Sequence, residues 1–155
     1  MNQKKLLAFL VEARANTYAT GGNKVTPVFP GGKQYEFKDG DWLYSDFYNQ
    51  GNKKFMGLET VYFKNKPVWS NCYYGNFEKM SEDEVDKILR TALVEKKDKA
   101  RLWFNVEYKS GNYLYECHAD SGSNLNECSG SEEISKGPQK VYSFYYAGGL
   151  IGGTR

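Results

Sequence analysis

The sequence predicts an α+β fold: a single, strongly curved, mostly antiparallel sheet of seven to eight strands with two helices packed on one face. Three observations predict it. The 155 residues include 13 Tyr, 9 Phe and 3 Trp, and aromatic residues favour strands. Two stretches repeat their apolar residues with helical spacing, one at the start and one near the middle. The rest alternates in twos between Gly, Asn and Asp turns, so the order is helix, strands, helix, strands.

The first helix is read over 3–18, where Leu6, Leu7, Leu10 and Ala13, with Phe9 near the edge, form an apolar stripe. Lys4, Lys5, Glu12 and Arg14 fall mostly outside it. Gly21-Gly22 ends it, and VTPVFPGG at 25–32 reads as a Pro/Gly loop. Strands at 34–38 and 41–48 flank Asp39-Gly40, a hairpin signal. The loop NQGN, a strand at 53–63, the turn KNK and a strand at 67–75 follow. SEDE at 81–84 is a capping box, in which Ser81 and Glu84 each satisfy an orphan amide. It opens a helix to about 95 that buries Val85, Ile88, Leu89, Ala92 and Leu93. Strands return at 101–108, 113–119, 126–134 and 140–147, around a mobile loop at 120–130. Gly148-Gly149 and Gly152-Gly153 read as a flexible tail. No internal repeat is evident and no linker divides the chain, so residues 1–155 are read as one domain.

Composition excludes several functions. A net charge of +2 gives no basic patch, so no nucleic-acid binding by the chain itself is expected. No membrane association is expected either: no run approaches the roughly 18 apolar residues of a membrane helix, and MNQKKLLAFL lacks the long core and cleavage site of a signal peptide. Three widely spaced cysteines suit reduced thiols in the cytoplasm. There is no CxxC, one histidine (His118) and no GxxxxGK[ST] phosphate loop, so neither metal nor cofactor is expected. Cys117 and His118 point to opposite sides of a strand, which rules them out as nucleophile and base. No catalytic residue is nominated.

The turns set a register for the central strands. The loop 49–52 places Tyr48 opposite Lys53 and Tyr44 opposite Gly57; the turn 64–66 places Val61, Glu59 and Gly57 opposite Trp69, Asn71 and Tyr73. One face then carries Trp42, Tyr44, Asp46, Tyr48, Phe55, Gly57, Glu59, Val61, Trp69, Asn71 and Tyr73. The other carries Leu43, Ser45, Phe47, Met56, Leu58, Thr60, Val68, Ser70, Cys72 and Tyr74. The aliphatic face is expected against the helices. The aromatic and acidic face is expected away from them, with Gly57 leaving a notch between Tyr44 and Tyr73. Rings around a few acceptors suit a ligand site, so Tyr18, Tyr44, Asp46, Gly57, Glu59, Trp69, Asn71 and Tyr73 are the candidate binding residues. The same rings also suit a second core layer. Asp46 and Glu59 are the only carboxylate pair placed for acid–base work.

TYATGG (17–22), FPGGKQYEFKDGDWLYSDFY (29–48), FMGLETV (55–61) and PVWSNCYYG (67–75) resemble a bacterial and archaeal family known as a domain of unknown function. Its pattern is TYAxGG, GDxxYxDxY, FxGxExV and PxWxxNYYG. Cys72 stands where the pattern has Asn, with Asn71 one position earlier. Family members are sometimes fused to helix-turn-helix regulators, which implies a sensor role; no such module precedes the strands here. The resemblance supplies no activity. The expectation is a small-molecule-binding, sensor-like domain, monomeric or homodimeric, whose ligand is small and polar or cationic. The alternatives are a hydrolase-type enzyme using Asp46 and Glu59, or a protein–protein interaction module.

Overall fold

A computed structural model describes residues 2–152. Helix α1 is Gln3–Ala15 and helix α2 is Glu82–Glu95. The strands are β1 Lys24–Val25, β2 Lys33–Asp39, β3 Trp42–Gly51, β4 Lys54–Phe63, β5 Lys66–Asn76, β6 Val106–Ser110, β7 Tyr113–Ala119, β8 Glu127–Lys136 and β9 Gln139–Leu150. They form one open antiparallel sheet of nine strands in the order β1-β2-β3-β4-β5-β9-β8-β7-β6. The fold is α+β with both helices on one face. The extra strand is β1, a two-residue edge at the start of the expected Pro/Gly loop.

Local chemistry explains the helix ends. The Asn2 side chain accepts from the amides of Lys4 and Lys5 to start α1. The Ser81–Glu84 box starts α2 with both reciprocal bonds formed. Helix α1 stops three residues early, and Thr17 returns its hydroxyl to the Ala13 carbonyl. Residues 101–105 are turns rather than strand, because Arg101 takes a left-handed φ of 58°. Gly148 and Gly149 belong to β9 rather than to a tail; Gly153 lies outside the described residues. The loop after β7 is shorter than expected, since β8 begins at Glu127, and it buries Leu125.

The β3–β4 connection differs from the sequence reading. Both strands run on, and the turn is Asn52-Lys53, with φ of 50° and 57°. Tyr48 therefore opposes Gly57, Asp46 opposes Glu59 and Tyr44 opposes Val61. The slip is four residues, an even number, so every side chain keeps its predicted face. Between β4 and β5 the predicted pairs Val61–Trp69, Glu59–Asn71 and Gly57–Tyr73 are present.

The assignment of the two faces to core and solvent is reversed. The helices cover the aromatic and acidic face: Tyr44, Asp46, Tyr48, Glu59, Val61, Trp69, Asn71 and Tyr73 are all buried. Met56 and Leu58 on the other face are 62% and 50% exposed. The physical reason is area. A large ring buries about 150–250 Å², worth several kcal/mol at about 25 cal/mol per Å², so the face with six rings gains more by burial than the aliphatic one. The carboxylates on that face are tolerated because partners come with the helices.

The sheet is also an internal duplication, which the sequence reading missed. The segment α1–β5 is followed by α2–β9 with matching registers. EFKDGDWLY (36–44) aligns with EYKSGNYLY (107–115), GLETV (57–61) with GSEEI (130–134), and VWSNCYYG (68–75) with VYSFYYAG (141–148). Tyr44 opposes Val61 as Tyr115 opposes Ile134; Glu59 opposes Asn71 as Glu132 opposes Phe144. Each half carries a bulge at the same place, after Val61 and after Ile134. The halves join where β5 pairs with β9, and there the equivalent residues Tyr73 and Tyr146 face each other across the joint.

Candidate functional site

Two buried locks repeat between the halves. Arg14, in the last turn of α1, grips Glu59 with Nε at 3.0 Å and Nη2 at 2.6 Å. Tyr44 donates to the same carboxylate at 2.7 Å and Asn71 at 3.0 Å. In the second half Arg101 grips Glu132 with Nε at 2.8 Å and Nη2 at 2.9 Å, and Tyr115 donates at 2.5 Å. Arg14 Nη1 also donates to the Arg101 carbonyl at 2.9 Å, tying the locks together. Forked pairs of this kind are strong and directional. Burial pushes the Glu59 pKa up, but the Arg14 charge and the donated hydrogen bonds outweigh it and hold the carboxyl below its usual range.

Asp46, directly across from Glu59, has the opposite environment. Its Oδ1 accepts from the Tyr73 hydroxyl at 2.6 Å. Among the described residues, nothing donates to Oδ2. Burial and the neighbouring Glu59 charge push its pKa up to about 7, against smaller opposing effects of the Tyr73 hydrogen bond and the two arginines. The cross-strand carboxyls are thus pushed apart, one held ionised and the other poised near neutrality. Glu59 has no free role as an acid or base, because Arg14, Tyr44 and Asn71 occupy both its oxygens.

Asp46 lies on the floor of a cavity of about 140 Å³ between the inner face of the sheet and α2. The volume is close to that of a dry cavity of about 150 Å³ that takes one benzene, so the space fits a single ring or its equivalent. Tyr48, Phe55 and Tyr73 wall one side and Tyr142 and Phe144 the other. Val85 and Leu89 of α2 form the roof, and Lys24, Lys33, Gln50 and Glu82 also line it. Tyr18, Asp86 and Arg90 close one end: Tyr18 donates to Asp86 at 2.7 Å and Arg90 donates to Asp86 at 3.1 Å. Arg90 Nε is buried without a partner. Arg101 reaches the cavity from behind Phe144, its guanidinium 4.3 Å from that ring. A second void of about 30 Å³, room for one or two waters, lies between Asp46 and the Arg14–Glu59 lock.

Of the sequence-nominated residues, Tyr18, Asp46 and Tyr73 meet at this cavity. Tyr44, Glu59 and Asn71 form the first lock, and Trp69 stacks beneath Arg14 at 5.4 Å; these four do not line the cavity. Gly57 leaves no notch. A Cβ there would sit 2.4 Å from the Tyr73 ring, so the glycine lets Tyr73 lie flat over β4 and reach Asp46. The reading missed Tyr35, Tyr48, Phe55, Phe77, Arg90, Arg101, Tyr142 and Phe144. Tyr48 and Phe55 were already on the right face. The residues beyond Asn71 needed the second half's register, which the duplicated motifs encode.

The model of a family described as a domain of unknown function, DUF5680, matches residues 46–151. The chain belongs to this family. No curated protein and no solved structure matches the chain. The DUF5680 match spans Asp46, Glu59, all of β5 to β9 and the α2 roof of the cavity; Arg14, Tyr18 and Tyr35 precede it. Among the described residues no helix is long and apolar enough to cross a membrane.

Proposed function

We propose that this chain is a small-molecule-binding, sensor-like domain whose ligand occupies the cavity under α2. The observation that carries this reading is a buried carboxyl with an unpaired oxygen on the floor of a ring-lined space, at a position where the second half buries the thiol of Cys117. Natural cores rarely leave a buried carboxylate oxygen without a donor. The free thiols at Cys72, Cys117 and Cys128 suit a cytoplasmic setting, which is part of the proposal. Thermal-shift screening with a metabolite library tests it, since a ligand that binds only the folded state raises the melting temperature. Hits are expected with the wild type and lost with Leu89→Trp, which fills the cavity from its roof. Absence of any hit, or hits that persist in Leu89→Trp, would place ligand binding elsewhere or nowhere.

A second reading has its own support on the other side of the sheet. Met56, Leu58, Tyr74 and Tyr145 are exposed there and neighbour one another across β4, β5 and β9, as an interaction face would. Light scattering on wild type and Leu58→Lys distinguishes a dimer through this face from a monomer.

A further inference from the structure

The ligand class follows from which charges in the cavity already have partners, and it rests on the cavity being the binding site. Arg101 is spoken for by Glu132, Arg90 by Asp86, and Lys33 by Glu82 at 3.0 Å. Lys24 is an exposed residue of the edge strand β1. Among the described residues, that leaves Asp46 as the one charged group of the cavity interior without a salt-bridge partner. Tyr48, Phe55 and Tyr73 line the cavity with it, and aromatic rings attract cations through their quadrupole. We propose that the cavity selects a ligand whose inner end is a protonated amine, seated against Asp46 Oδ2 within the Tyr48, Phe55 and Tyr73 rings.

The surroundings of Asp46 give the proposal a pH signature. Glu59 faces it from β4, Tyr73 from β5 and Tyr35 from β2. Arg14 acts on it from α1 and Arg101 from the segment after α2. Glu59 is locked in its ionised form, and the Tyr73 phenol is pushed well above its ordinary range by burial and by Asp46. Asp86 is held by Arg90 and Tyr18, and Glu82 by Lys33. The only histidine is exposed on β7, and the Cys117 before it points into the core. Asp46 is therefore the group at the site that titrates between pH 5 and pH 8. A cationic ligand binds the ionised carboxylate and displaces its proton, so affinity rises with pH up to about 7 and then levels off.

Three probes of one shape separate the possibilities: benzylamine, a cation throughout this range; benzyl alcohol, neutral; and benzoate, an anion. Calorimetry and ligand-observed NMR give their affinities from pH 5 to pH 8. Benzylamine is expected to bind best at pH 8, to weaken on the order of a hundredfold by pH 5, and to lose at least tenfold in Asp46→Asn. That variant keeps shape and hydrogen-bonding capacity, and its melting curve confirms that it folds. Benzyl alcohol is expected to bind weakly with no pH dependence, and benzoate not at all. Benzylamine binding that is flat with pH, or unchanged in Asp46→Asn, overturns the proposal, as does failure of benzylamine to bind. Equal binding by benzyl alcohol, abolished by Leu89→Trp, overturns cation selection while leaving the cavity as a ligand site.

Discussion

The two halves share a frame and differ in what it encloses. Each presents a tyrosine, a glutamate and an arginine in the same lock, and each lays a tyrosine over a glycine: Tyr73 over Gly57 and Tyr146 over Gly130. The hydroxyl of Tyr73 meets Asp46, whereas the hydroxyl of Tyr146 lies 3.9 Å from Cys117, the equivalent position. Around this point Tyr35, Tyr48 and Phe55 correspond to Val106, Ala119 and Cys128. The larger side chains of the first half meet β9 and α2 of the second around the cavity, and the connections of the halves differ too. Strands β3 and β4 join through two residues, whereas β7 and β8 join through 120–126. That longer loop lays Leu125 over Cys128, where Leu102 and the α1 leucines complete the packing. The first copy thus sets a carboxyl on the cavity floor where the second buries a thiol.

If the locks are equivalent, breaking either should cost the same. Arg14→Met and Arg101→Met each leave a buried glutamate without its cation, and each is expected to lose about 3–5 kcal/mol in urea unfolding. A loss below about 1 kcal/mol for one of them would mean that its half does not depend on the lock. The next effect belongs to the first half alone. Asp46 has a higher pKa folded, about 7, than in the unfolded chain, so the folded state holds a proton that the unfolded state releases. Its contribution is complete below the unfolded value and is lost as pH rises through 7. Stability should therefore fall from pH 5 to pH 7, by an amount on the order of a few kcal/mol. The carboxyls with lowered values, Glu59, Glu78, Glu82 and Glu84, lose their contributions only at lower pH. Asp46→Cys, which copies the second half, is expected to flatten this slope. Cys117→Ser should not change it, because burial pushes the Cys117 thiol up to about 11.

Adding one carbon at either flat-lying tyrosine gives a smaller, paired effect. A Cβ at Gly57 would meet the Tyr73 ring at 2.4 Å, and one at Gly130 the Tyr146 hydroxyl at 2.5 Å. Overpacking of this size costs about 1–3 kcal/mol, so Gly57→Ala and Gly130→Ala should both lower the melting temperature. Only Gly57→Ala should also move Tyr73 off Asp46 and so change the pH slope.

The sequence carried the elements and the side-chain parity of the central strands, since turns and alternation are local signals. Asp39-Gly40 and SEDE located a hairpin and a helix start to within a residue or two. It misled on which face the helices cover, because the deciding partners are remote: Arg14 sits 45 positions before Glu59, at the margin of its helix's apolar stripe. Composition alone made two acids look like a wet surface. The duplication was legible in EFKDGDWLY and EYKSGNYLY, but the second copy has Cys117, Ala119 and Cys128 where the first has Asp46, Tyr48 and Phe55, so it did not draw attention as the first did. Half of the cavity wall therefore went unseen until β5 was placed beside β9.

The smallest test of the duplication lies in the turns that close β4–β5 and β8–β9. Lys64 has a φ of 50°, and its counterpart Gly137 has a φ of 57°. A left-handed residue with a side chain costs about 1–2 kcal/mol, and glycine's extra freedom in the unfolded chain offsets about 0.5–1 of that. The Lys64 ammonium makes exposed contacts, 3.8 Å to Asp41 and 5.5 Å from the Phe63 ring centroid, each worth little in water. Lys64→Gly should thus stabilise the protein by about 0.5 kcal/mol, seen as a higher urea midpoint with an unchanged slope. The reverse exchange is not its mirror image. Gly137 precedes Pro138, whose ring restricts the residue before it to extended conformations when that residue carries a Cβ. Gly137→Lys should therefore cost more than Lys64→Gly gains, and equal and opposite shifts would show that the two turns are not copies with separately adjusted chemistry.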